Sequence, residues 1–128
     1  MAVVKEYNLL LPRAYLTKRA DLVAMATANE RERLATLITG LEQRGLLLDS
    51  RQESFDIGTM TIFEPPLLAD VNSTEVWWYR HVDSKSSATA QAPRRLRYQL
   101  RYRLVQSQGQ WLVAHLELLK SEELPADT

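Results

Sequence analysis

Arg95-Leu96-Arg97-Tyr98-Gln99-Leu100-Arg101-Tyr102-Arg103-Leu104 alternates polar and apolar residues without a break, and arginine fills nearly every polar position. Successive side chains of a strand point to opposite faces, so Leu96, Tyr98, Leu100, Tyr102 and Leu104 share one face. Arg95, Arg97, Gln99, Arg101 and Arg103 share the other. The stretch is a half-buried antiparallel strand with a basic outer side. A second strand, 111–119, follows it, and the connecting loop can be registered in two ways. A two-residue loop at Gln108-Gly109 sets Leu112, Ala114 and Leu116 beside the arginines. A three-residue loop, Ser107-Gln108-Gly109, pairs Leu104 with Leu112, Tyr102 with Ala114 and Leu100 with Leu116, with Gly109 in the left-handed region. One residue of slip exchanges the faces, so burial selects the three-residue loop. That register sets Val105 by Trp111, Arg101 by His115 and Gln99 by Glu117.

Upstream, residues 3–45 read as helical. Val4, Tyr7, Leu11 and Ala14 recur at helical spacing, and Pro12 predicts a kink or break. A short segment, 18–25, leads to Thr27-Ala28-Asn29-Glu30, a capping box. It opens a helix whose apolar stripe is Leu34, Leu37, Ile38 and Leu41. Gly45 ends it as a left-handed stop. From Leu46 onward strands dominate. Residues 55–63, closed by Pro65-Pro66, and 75–82, centred on Val76-Trp77-Trp78-Tyr79, precede a small, polar loop at 83–94. The expected architecture is therefore α+β: N-terminal helices packed on the concave face of a curved antiparallel sheet of about four strands. Residues 1–120 form the single domain, and 121–128 are an acidic, flexible tail.

The 128 residues carry 16 Lys plus Arg against 16 Asp plus Glu, so formal net charge is zero. That speaks against a nucleic-acid binder, whose affinity comes mainly from excess positive charge. There is no cysteine, which excludes disulfide and thiolate chemistry. No apolar run approaches the roughly 20 residues of a membrane span, and Lys5, Glu6 and Asn8 interrupt any signal sequence. The expected location is cytoplasmic as the chain stands, or extracytoplasmic if the segment is excised from an anchored parent.

Tyr15-Leu16-Thr17-Lys18-Arg19-Ala20-Asp21-Leu22 resembles the turn from first to second helix in nuclear-transport-factor-2-like domains. Arg97 to Leu104 followed by Gly109-Gln110-Trp111-Leu112-Val113 is similar to the final hairpin of that superfamily. The order of elements resembles one branch in particular, the intermembrane-space-type domain of cyanobacterial and plastid division proteins. The resemblance implies a cone-like fold that hosts both pocket enzymes and binding modules.

The only two histidines, His81 and His115, are candidates for a pocket acid or base with Asp56, Asp70 or Glu75. Their spacing provides no metal-ligand set, and no cofactor motif is present. Tyr98, Leu100 and Tyr102 point inward, either as a ligand pocket or as a filled, hydroxyl-rimmed core. Arg97, Arg101 and Arg103 form a basic stripe, either solvated and ion-paired to Glu75, Glu117 or Glu53, or a contact surface. If Trp77 and Tyr79 join Trp111 on that side, the outer face has the Trp, Tyr and Arg content of an interface centre. The functional expectation is a non-enzymatic protein-interaction or tethering domain using this outer face. Its partner would be another protein or a second copy of the chain. The alternative is a small-molecule binder or pocket enzyme of the same fold.

Overall fold

A computed structural model describes residues 2–64 and 67–125. Helix α1 (Ala2–Thr17), a 3-10 turn (Ala20–Leu22) and helix α2 (Ala28–Gln43) precede strands β1 (Leu46–Phe63), β2 (Leu68–Asp83), β3 (Arg94–Ser107) and β4 (Gln110–Leu124). The strands form one antiparallel sheet in the order β1-β2-β3-β4, curved and unclosed, as the α+β expectation had it.

The helix ends follow local chemistry. Thr27 accepts the Glu30 backbone N–H and caps α2, satisfying one of the donors a helix start leaves open. Gly45, at φ 69°, and Lys18, at φ 58°, take the left-handed conformation just past the two helices. The Arg19 N–H then reaches the Ala14 carbonyl at 2.9 Å, a Schellman closure. The break expected at Pro12 does not occur: α1 runs through it to Thr17. Ala14 and Tyr15, beyond the proline, still pack on the core, so tertiary packing outweighs the missing backbone donor.

The core lies between the helices and the concave face of the sheet. Val4, Tyr7, Ala14, Leu34 and Ile38 of the helices meet Ala69, Val71, Tyr102, Leu104 and Val113 of the strands. Leu37, expected in this core, is 44% exposed. Glu30, Leu34, Ile38 and Leu41 are the buried positions of α2.

The β3–β4 register differs from the expectation. Leu104 stands opposite Val113, Val105 opposite Leu112 and Ser107 opposite Gln110. The loop is the two-residue one, with Gln108 at φ 52° and Gly109 at φ 78°, the signs of a type I′ turn. A register shift past Ala114 then restores the inward phase, setting Leu116 opposite Tyr102, and a second past Leu119 sets Ser121 opposite Tyr98. A bulge lets one strand change phase along its length, which a uniform period-2 reading cannot anticipate. β4 also continues to Leu124, four residues into the segment expected as a tail; residues 126–128 lie outside the described ones. β1 and β2 begin nine and seven residues before the expected strands, at Leu46 and Leu68.

Candidate functional site: a concave groove

β2 carries Ser73, Glu75, Trp77, Tyr79 and His81 in one phase, and register sets Glu75 against Tyr98 and Trp77 against Leu96. These side chains therefore share the concave face with Tyr98, Leu100 and Tyr102. Where the two helices leave this face uncovered, a groove of about 620 Å³ opens. Leu11 and Tyr15 come from α1, Arg33 and Leu37 from α2, Leu48 and Ser50 from β1, and Leu116 and Leu118 from β4.

Its floor is a polar network. The Glu75 carboxylate is fully buried. It accepts from the Ser73 hydroxyl at 2.7 Å, Trp77 Nε1 at 2.8 Å, Gln52 Nε2 at 3.1 Å and the Tyr102 hydroxyl at 2.5 Å. Asn8 of α1 joins it, donating from Nδ2 to the Tyr102 hydroxyl at 3.0 Å and accepting from Gln52 at 3.1 Å. Four donors offset the desolvation of a buried carboxylate. Burial first, and then Glu75 beside it, push the Tyr102 phenol well above its ordinary range, so it stays a donor. Beside this network Tyr7 packs edge-on against Tyr102, ring centroids 6.4 Å apart. It donates to a second buried carboxylate, Glu30, which Arg33 holds in a two-pronged ion pair. Burial and Glu30 raise the Tyr7 pKa, and burial raises those of Tyr15 and Tyr98.

The walls are apolar and open. Leu118 is 55% exposed at one rim, facing Leu100 across the β3–β4 pair. Tyr79 stacks edge-to-face on His81, centroids 6.1 Å apart. His81 thus lines the groove, whereas His115, opposite Arg103, and Asp56, opposite Thr74, lie on the convex face. Asp70 also lies there, paired to Arg103. The structure does not bring the two histidines and a free carboxylate together. Among the described residues no cluster of three metal-ligating side chains forms.

The convex face is a ladder of ion pairs. Arg95 binds Glu53 at 2.7 Å, Arg97 binds Glu122 at 3.4 Å, Arg101 binds Glu117 at 3.3 Å, and Arg103 binds Asp70. Arg80 adds a pair to Asp49 at 3.0 Å. The stripe expected to be basic is therefore neutralised in place. Trp77 and Tyr79 do not join it; they are concave. Trp111 packs on the core side, in a second cleft with Val3 and Met25. The tryptophan beside the arginines is Trp78, with the Arg51 guanidinium 4.4 Å above its ring and that of Arg80 at 5.9 Å. Alternation permits either phase of Trp77-Trp78-Tyr79. The buried bond from Trp77 to Glu75 and the guanidinium stack on Trp78 decide it. Glu75, expected to pair with the arginines or to act in a pocket, is instead consumed by the floor. The one sequence signal for it was its phase, two residues before Trp77.

No family model matches the chain, and no curated protein matches it in sequence. A solved structure matches it in fold. The chain is similar in fold to the intermembrane space region of the chloroplast protein ARC6. The TM-score is 0.74 at 17% identity, covering 92% of each chain. This likeness agrees with the intermembrane-space-type fold that the order of elements suggested. At this identity it is a likeness of fold alone. No described helix is long and apolar enough to cross a membrane.

Proposed function

We propose that this is a protein-interaction domain that holds an apolar segment of a partner protein in its concave groove. The observation that carries the reading is the exposure of Leu37 and Leu118 in the lining of an aromatic-walled groove, over a floor whose polar groups are already paired. Solvent gains nothing from leucine at such positions, and a contiguous exposed apolar patch of this kind marks an interaction site. The convex face offers less, since its arginines are matched by carboxylates on the same face and surface pairs of this kind contribute little. The nuclear-transport-factor-2-like group and the extracytoplasmic location considered from the sequence belong to the same proposal, and the second accords with the intermembrane-space origin of the similar structure. A tethering role fits the same groove. His81 in the wall favours a second reading, a small-molecule pocket.

Selection of a phage-displayed peptide library on the immobilised domain tests this. It should enrich peptides rich in apolar and aromatic residues. Leu37→Glu and Leu118→Glu, both at exposed positions, should weaken the enriched peptides at least about tenfold, or ~1.4 kcal/mol. The pair Arg101→Glu with Arg103→Glu should leave them unchanged. The reverse pattern would make the convex face the contact surface. A library yielding no binder would move the small-molecule reading ahead.

A further inference from the structure

An unclosed sheet has two edges, and this one treats them differently. Along β4, the Val113 N–H and carbonyl are bonded to the backbone of Met25 and Thr27 at 2.8 and 2.9 Å. Register shifts at Ala114 and Leu119 break its line, and Glu117, Lys120, Glu122 and Glu123 set charges along it. Bulges, cover and charge are the devices that keep an edge from pairing with another chain. On β1 the charges Asp49, Arg51, Glu53 and Asp56 and register shifts after Gln52 and Ile57 protect the strand only as far as Thr59. From Ile57 to Phe63 it carries no charge. Past a second irregularity at Gly58-Thr59 it runs regularly from Met60 to Phe63 against β2. Met60, Ile62 and Phe63 are 48, 51 and 44% exposed. Among the described residues no strand pairs with the outer side of this run. Met60 and Ile62 stand opposite Val71 and Ala69, both fully buried, so the apolar layer of the core continues to an open edge.

We propose that Thr59–Phe63 pairs antiparallel with the same residues of a second copy about a two-fold axis at Thr61, joining the two sheets. This would be a surface separate from the groove. The occupant is argued from charge and pattern. An uncharged strand offers nothing to orient a charged partner, whereas its own antiparallel copy fits it. Met60 falls opposite Ile62, Thr61 opposite Thr61, Phe63 opposite Thr59 and Glu64 opposite Gly58, so no like charges meet. Apolar and Thr–Thr cross-strand pairs are favourable ones, and chains of zero net charge do not repel.

The absence of cysteine makes the test direct. In the proposed pair the two Thr61 Cα atoms would lie about 4.5–5.5 Å apart, within disulfide reach. Mild oxidation should therefore convert Thr61→Cys to a covalent dimer, while Thr36→Cys, on the exposed side of α2, stays monomeric. In sedimentation velocity the unmodified chain should dimerise with concentration. Ile62→Lys should weaken that at least about tenfold, with an unchanged circular dichroism spectrum. A chain that stays monomeric with equal cross-linking of both cysteine variants overturns the proposal. So does a dimer indifferent to Ile62→Lys whose Thr61→Cys form does not cross-link.

Discussion

Glu75 organises the interior more than any other residue. Its Oε1 accepts from two groups that can only donate, the Trp77 indole and the Gln52 amide nitrogen. Its Oε2 accepts from two hydroxyls, of Ser73 and Tyr102. In Glu75→Gln the new amide nitrogen can be tolerated only on the hydroxyl side, where Ser73 and Tyr102 can turn to accept. The substitution should cost about 1–3 kcal/mol, the loss of charge-assisted bonds. Glu75→Leu should cost more, because it removes the shared acceptor of four buried or part-buried donors, of which only Gln52 and Tyr102 have Asn8 as another partner. Urea denaturation of the two variants checks this; a leucine variant as stable as the parent would show the network to be dispensable. From sequence, Glu75 was one acidic residue among several near arginines. Which face it joined depended on the phase of β2, which its two adjacent tryptophans left open.

Helix α2 shows what periodicity resolves and what it leaves. The 3.6-residue spacing placed the stripe on the core correctly at Leu34, Ile38 and Leu41, but Leu37 sits at the margin of the arc and opens to the groove. Leu34→Ala should cost about 2–5 kcal/mol. Leu37→Ala should stay within about 0.5 kcal/mol, as at an exposed position. Denaturation midpoints of the two variants separate core from wall, and near-equal losses would return Leu37 to the core. The β3–β4 hairpin carries the companion lesson. Its two faces were legible from alternation, while its turn was not. With a constant period along β4, burial of its apolar set requires the longer loop. Bulges past Ala114 and Leu119 supply the missing residues of phase. Ala114 lies next to Val113, where the segment between the helices is bonded to the strand. That is a long-range contact with no local signature.

At the scale of the molecule, the convex ladder ties all four strands together across the sheet. Within it, Asp70 is the acid most affected by its partner. Hydrogen bonding from the Arg103 guanidinium holds its carboxyl below the ordinary aspartate range, near 3.9. A group whose folded pKa is depressed stabilises the fold above its unfolded pKa and loses that contribution as pH falls through the folded one. Asp70→Asn should therefore cost up to about 1 kcal/mol at neutral pH, as a half-exposed pair does. Urea midpoints of parent and variant should converge as pH falls through the range below the ordinary aspartate pKa. A gap that persists there would assign the loss to packing.

The order of helices and strands, the two faces of β3, the α2 cap and the Gly45 stop were determined by the sequence alone. Each rests on interactions between residues a few positions apart, where spacing and stereochemistry suffice. The tertiary structure alone decided which tryptophan faces the core, how the convex arginines are neutralised, where β4 changes phase and which edge is left open. Those outcomes depend on residues brought together from distant parts of the chain. Asn8 meets Tyr102, Gln52 meets Glu75, and Glu53 meets Arg95. Burial and pairing energies select among alternatives that are locally equivalent.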